Sequence, residues 1–140
     1  MTQVPQETVQ EIADWLECGF RVFLHRETHK LITYPNEDRC ASFEPSMWKK
    51  EIQAIRKERE KYLEIEGMEP HESFRVMEDF ISTLNDLPLK DRLLRAIDQK
   101  KPFAHFKAQI DGAGVYRERW FQFRDRKMRE WVGEQMEVMH

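Results

Sequence analysis

From Phe20 the apolar residues of this chain leave helical spacing, Phe20, Val22 and Leu24 alternating with Arg21, Phe23 and His25, whereas within the segments from His71 to about Gln135 they return every three or four. This change of period constrains the fold more than any other feature. A period of two stacks apolar side chains on one face of a strand, whereas a period near 3.6 stacks them on one face of a helix. The chain therefore has to join a small β region near its start to a helical remainder.

Phe20, Val22 and Leu24 alternate with Arg21, Phe23 and His25. After Arg26-Glu27-Thr28-His29 comes Lys30-Leu31-Ile32-Thr33-Tyr34, rich in β-branched and aromatic residues. Two such runs a turn apart predict a β-hairpin over 20–34. Tyr62-Leu63-Glu64-Ile65-Glu66 alternates again and predicts a third strand over 62–66, closed by Gly67.

The helical segments follow from the other period. Val9, Ile12, Ala13 and Leu16 predict a helix over 7–17, with Gly19 at its C-terminal cap. Pro35-Asn36-Glu37-Asp38 opens a loop that runs to Pro45. Ser46 then caps a helix through Lys61, whose narrow stripe of Trp48, Ile52 and Ile55 suits a helix lying over the surface of the core. Further helices are expected over 71–84 (Phe74, Met77, Ile81, Leu84), 88–99 (Leu89, Leu93, Ala96, Ile97), from Pro102 (Phe103, Phe106, Ile110) and over 115–135 (Trp120, Phe121, Met128, Trp131, Val132). The expected architecture is α+β: a small three-stranded antiparallel sheet packed with about six helices, predominantly helical in its C-terminal half. With 140 residues and neither repeat nor linker, a single domain over 1–140 is expected.

Composition narrows the function. Nine Phe, four Trp and three Tyr supply too much core for a disordered chain. The net charge of −3 excludes a global basic footprint for nucleic acid. The charges are nonetheless segregated: Lys49–Lys61 and Arg117–Glu130 each hold six basic and three acidic residues. Such segregation is commonly an ion-paired, solvated helix face, with a binding patch as the alternative. Cys18 and Cys40 belong to no zinc-type cluster and read as free thiols. The N-terminus lacks the pattern of a secretory signal, and no apolar run approaches the roughly 18 residues of a membrane span. A cytoplasmic protein with no membrane contact is expected.

Few residues suggest chemistry. Trp120, Arg124, Met128 and Trp131 share a sector of the last helix, and a charge in an apolar arc is costly unless paired. Arg124 is therefore expected to form a buried structural clamp with Glu78 or Asp79. The alternatives are an anion-binding arginine or a side chain that snorkels to solvent. Lys100, Lys101, His105 and Lys107 interleave with Phe103 and Phe106, a basic-aromatic mixture suited to single-stranded nucleic acid. Helical spacing instead assigns Phe103, Phe106 and Ile110 to the core, leaving a lysine fringe. Lys49, Lys50, Arg56 and Lys57 are further candidates for anion or nucleic-acid binding. Trp15, Trp48 and Trp131 stand at the flanks or ends of their stripes, as tryptophans that do not bury fully commonly do, with an interface role as the alternative. His25 and His29 flank a turn without a third ligand, so no metal is expected. No GxSxG, P-loop, GxGxxG, HExxH or DxDxDG pattern occurs. No catalytic residue and no cofactor is expected.

Several stretches resemble a bacterial group known as uncharacterised protein family 0158. They are Phe23 to Ile32, Tyr62-Leu63-Glu64-Ile65, Phe74-Arg75-Val76-Met77-Glu78-Asp79-Phe80-Ile81, Lys101-Pro102-Phe103-Ala104-His105-Phe106-Lys107 and Trp120-Phe121-Gln122-Phe123-Arg124-Asp125. The resemblance covers about Phe23 to Val132. It implies a bacterial cytoplasmic domain without assigned activity, and it carries no catalytic residue across. The chain departs from the family's pattern in two places: His29 stands where the family usually has Gly in the hairpin turn, and Lys100-Lys101-Pro102 stands where it tends to have Gly before the Phe-x-x-Phe segment. With Gly missing, His29 is expected to adopt a positive φ, which His tolerates better than most residues.

The expectation for function is a non-enzymatic binding domain that engages another protein or a second copy of itself. The alternative is a nucleic-acid-binding or regulatory protein that uses basic segments 49–61, 100–107 and 117–129.

Overall fold

The computed structural model describes residues 4–39 and 42–137. Cys40 lies outside them, and Cys18 is an exposed free thiol. The described residues gather into two compact units, those within 4–67 together with 128–137, and residues 68–127. The second is an insertion in the first, leaving at Gly67 and returning at Met128.

The first unit holds α1 (Gln6–Glu17), β1 (Phe20–His25), β2 (Leu31–Pro35), a 3₁₀ turn (Pro45–Trp48) that runs into α2 (Lys49–Lys57), a second 3₁₀ turn (Arg59–Lys61) and β3 (Tyr62–Ile65). The strands form an antiparallel sheet in the order β2-β1-β3. β1 is central, so its Phe23 faces Ile32 on one side and Glu64 on the other. Val22, Leu24 and Ile65 pack with Val9, Ile12, Ala13 and Leu16 of α1. Phe23 and Tyr34 pack with Ile55 of α2 on the opposite face. Both faces are covered, which is why Val22, Phe23 and Leu24 are all buried rather than alternating.

Two turns define the hairpin's surroundings. Gly19 takes φ +83 just after α1, where an L side chain would be strained. His29 takes φ 62, as its place in the turn predicts. The turn is tied by His25, whose Nδ1 accepts the backbone N–H of Glu27 and of Thr28, both at 3.1 Å.

The helix expected through Lys61 stops at Lys57. Glu58 leaves helical geometry at φ −127 and ψ 39, and the last turn tightens to 3₁₀ before delivering the chain into β3.

The second unit holds α3 (Pro70–Ser82), α4 (Leu87–Ile97), α5 (Pro102–Asp111) and the start of α6 (Val115–Met136). Its starts are capped locally. The Glu69 N–H donates to the Glu72 carboxylate at 3.1 Å, and Asp86 accepts the Leu89 N–H at 3.0 Å. α5 begins differently, from Lys101 in the left-handed region at φ 56. The core joins Val76, Met77, Phe80 and Ile81 to Leu89, Leu93 and Ile97, then to Phe106, Ile110 and Trp120. Phe80, Phe106 and Trp120 meet edge to face, with centroids 5.2 Å and 4.7 Å apart.

α6 contributes Trp120 to this core and, further along, Val132 and Met136 to the core of the first unit. Trp120 and Val132 stand about 120° apart around a helix. Between them no residue of α6 is buried.

Candidate functional site

Arg21 and Glu64 organise the sheet face that α2 covers. Glu64 pairs with Phe23 across β1 and β3, so Arg21, two residues along β1, stands diagonal to it on the same face. The Arg21 Nε and Nη2 each donate to a Glu64 carboxylate oxygen at 2.9 Å. This hydrogen bonding raises the Arg21 guanidinium above its ordinary value, against the opposing effect of burial. The guanidinium also lies 5.2 Å from the Phe23 ring centroid and 5.5 Å from that of Tyr34. Arg59 approaches the same carboxylate at 3.7 Å and the Phe23 ring at 5.4 Å. One carboxylate thus holds two guanidinia over a stacked Phe23–Tyr34 pair.

Beside this cluster runs an open groove of about 630 Å³, within the range of pockets that receive ligands. Arg21, Phe23 and Tyr34 line it from the sheet, Ile52 and Arg56 from α2, and Glu37 and Asp38 from the loop after β2. Lys49, Lys50, Arg56 and Lys57 are all exposed on α2. Trp48 is half-buried and meets Phe20 edge-on at 5.8 Å, while Phe20 packs on Trp15 at 4.8 Å. Phe20 thereby joins two of the three candidate interface tryptophans in a row, and Met47 next to Trp48 is 72% exposed. Trp131 belongs elsewhere: its Nε1–H donates to the Glu66 carbonyl at 2.8 Å.

The second unit corrects two expectations. Arg124 is exposed rather than buried, with its guanidinium 5.8 Å from the Phe121 ring centroid, and Glu78 and Asp79 are exposed as well. The desolvation cost that argued for a buried clamp does not arise, because no residue of α6 between Trp120 and Val132 is buried. Phe103 is 42% exposed, whereas Phe106 and Ile110 are buried. It stands at the first turn of α5, ahead of the stretch that packs on α4. The exposed set Lys100, Lys101, His105 and Lys107 therefore does have an exposed ring among it.

The basic residues over 117–129 are engaged close to home. Arg117 pairs with Asp111 at 3.4 Å and covers Phe121, Arg119 covers Tyr116, and Arg126 and Lys127 cover Phe123. Arg129 donates to the Gln10 side-chain oxygen at 3.1 Å. α4 and α5 form another groove, lined by Arg92, Arg95, Ala96, Gln99, His105 and Gln109. Among the described residues no group of three His, Cys, Asp or Glu could hold a metal, and no helix is long and apolar enough to cross a membrane.

The sequence reading singled out neither Arg21, Glu64 and Arg59 nor Gln135. For Arg21 and Glu64 the sequence offers only opposite charges on two expected strands; their pairing depends on strand register.

A family model described as "Uncharacterised protein family (UPF0158)" matches residues 44–140. The hairpin lies outside that span, so the likeness seen over Phe23 to Ile32 has no counterpart in the match. No curated protein and no solved structure matches the chain.

Proposed function

The chain belongs to the uncharacterised protein family UPF0158, and we propose that it is a non-enzymatic cytoplasmic binding module that receives a segment of another protein in the groove beside α2. The observation that carries this reading is the groove itself, with rings and guanidinia along the sheet and Arg56 on its helical side. Arginine and aromatic residues are over-represented among the residues that carry binding energy at protein interfaces. Arg56 and Arg59 suit an acidic side chain of the partner, whereas Glu37 and Asp38 suit its base or a backbone N–H. Exposed Met47 and half-buried Trp48 extend the apolar surface next to α2. The test is affinity capture from the native cell after nuclease treatment, comparing the natural chain with the exposed-site variant Arg56→Glu/Lys57→Glu. A partner retained by the first and lost by the second supports the reading, whereas equal capture by both ends it. Sedimentation of the purified chain separates a second copy from a different protein.

A second reading has one specific observation in its favour. Exposure of Phe103 among Lys100, Lys101, His105 and Lys107 supplies a ring for base stacking within a basic surface. Retention on single-stranded oligonucleotide that falls with salt and is lost in Phe103→Ala supports it. No retention at low salt removes it.

A further inference from the structure

We propose that the groove between α4 and α5 is a phosphate-binding site. Arg92 and Arg95 recur at i and i+3 on α4, Gln99 follows just past its C-terminal end, and His105 and Gln109 recur at i and i+4 on α5. Packing of Leu89, Leu93, Ile97, Phe106 and Ile110 in the common core sets these two polar stripes beside one another. The lining is Arg92, Arg95, Ala96, Gln99, His105 and Gln109: every polar side chain there offers N–H donors, and none is a carboxylate. A concave surface made of donors selects an acceptor-rich anion. Guanidinium forks match the geometry of phosphate oxygens, which they bind two at a time.

Local bonds already orient part of the set. Arg95 places Nη2 on Asp91 at 2.9 Å, leaving the remainder of its fork for a ligand. Gln99 donates Nε2 to the Arg95 carbonyl at 3.1 Å, which fixes the amide at the groove's edge. The opening of about 210 Å³ equals the liquid volume of roughly seven waters, enough for a phosphate with part of its ester. The site is independent of the groove in the first unit and does not require a protein partner. Its phosphate could come from a small phosphorylated molecule or from a nucleic-acid backbone.

The test uses the full chain and amide NMR. Inorganic phosphate is titrated first, then a single-stranded oligonucleotide, with chloride as the control anion. The expected result is saturable shifts confined to residues 92–109, with binding about tenfold weaker in Arg92→Gln and in His105→Ala, each variant losing one hydrogen bond to a charged partner. Both positions are exposed, and unchanged spectra elsewhere confirm that the variants fold. Oligonucleotide binding that is tighter than phosphate binding and weakens with salt identifies a backbone as the source. Phosphate binding without that gain identifies a small molecule. The proposal is overturned if phosphate shifts nothing in 92–109, if its shifts spread over all basic surfaces, or if chloride reproduces them.

Discussion

Arg21 grips Glu64 through two parallel hydrogen bonds of 2.9 Å, a cross-strand ion pair laid over the rings of Phe23 and Tyr34. It joins the central strand to β3, whose pairing with β1 spans only Val22 to His25. A lysine could restore the charge, but neither the fork nor the flat contact with the rings. Arg21→Lys should therefore lower stability by about 1 kcal/mol, a modest figure because the arginine is partly exposed. Urea unfolding measures it. Glu64→Gln should cost at least as much, since it leaves both Arg21 and Arg59 without their shared carboxylate. A double variant that loses no more than either single one identifies the pair as the unit.

His29 and Lys101 are the positive-φ residues other than glycine among the described residues. The left-handed region costs an L-residue roughly 1–2 kcal/mol, and glycine avoids this at some cost in unfolded-state freedom. His29→Gly and Lys101→Gly should each stabilise by several tenths of a kcal/mol, read as a higher urea midpoint. His29→Val should destabilise by more than about 1 kcal/mol, because a β-branched residue fits that region worst.

These positions show what was legible in the sequence. Periodicity, with β-branched and aromatic content for β2, located the six α-helices and three strands among the described residues but not the two 3₁₀ turns, because most elements bury a stripe and the stripe reports its period. It was weaker on which side a residue takes when a surface has two covers. Phe23 alternates with Val22 and Leu24, yet both faces of β1 are buried, α2 covering the second. Arg124 shares a sector with Trp120, Met128 and Trp131, but that sector is not covered along its whole length: no residue of α6 between Trp120 and Val132 is buried. The Arg21–Glu64 pair was hidden for another reason. Each residue is ordinary alone, and the pair exists only through the register of β1 against β3, which no local pattern states.

Phe103 and Phe106 give a direct test on one helix. Phe106 is 2% exposed against Trp120, and Phe106→Ala should cost roughly 3–5 kcal/mol by leaving a cavity in the core of the second unit. Phe103 is 42% exposed, and Phe103→Ala should change stability by no more than about 0.5 kcal/mol. Thermal unfolding of the two variants decides the matter, and equal large losses would show that both rings are core.

Trp131 and Gln135 close the end of β3 from one face of α6. The Gln135 side-chain amide acts like the next strand: its Oε1 accepts the Glu66 N–H at 2.8 Å, and its Nε2 donates to the Glu66 carbonyl at 2.7 Å. Trp131 Nε1–H reaches the same carbonyl at 2.8 Å, so both lone pairs of that oxygen are engaged. This gives a structural task to a tryptophan at the end of its apolar stripe. Trp131→Phe keeps most of the ring but removes the donor, and should cost about 1 kcal/mol. Gln135→Ala removes a donor and an acceptor from the same peptide unit and should cost about 1–2 kcal/mol, limited by the access of water to Glu66. Amide exchange at Glu66 reads the clasp directly. Faster exchange in Gln135→Ala, but little change in Trp131→Phe, is expected because Gln135 alone of the two accepts that N–H; equal exchange in both variants and the natural chain would dismiss the clasp as a source of protection.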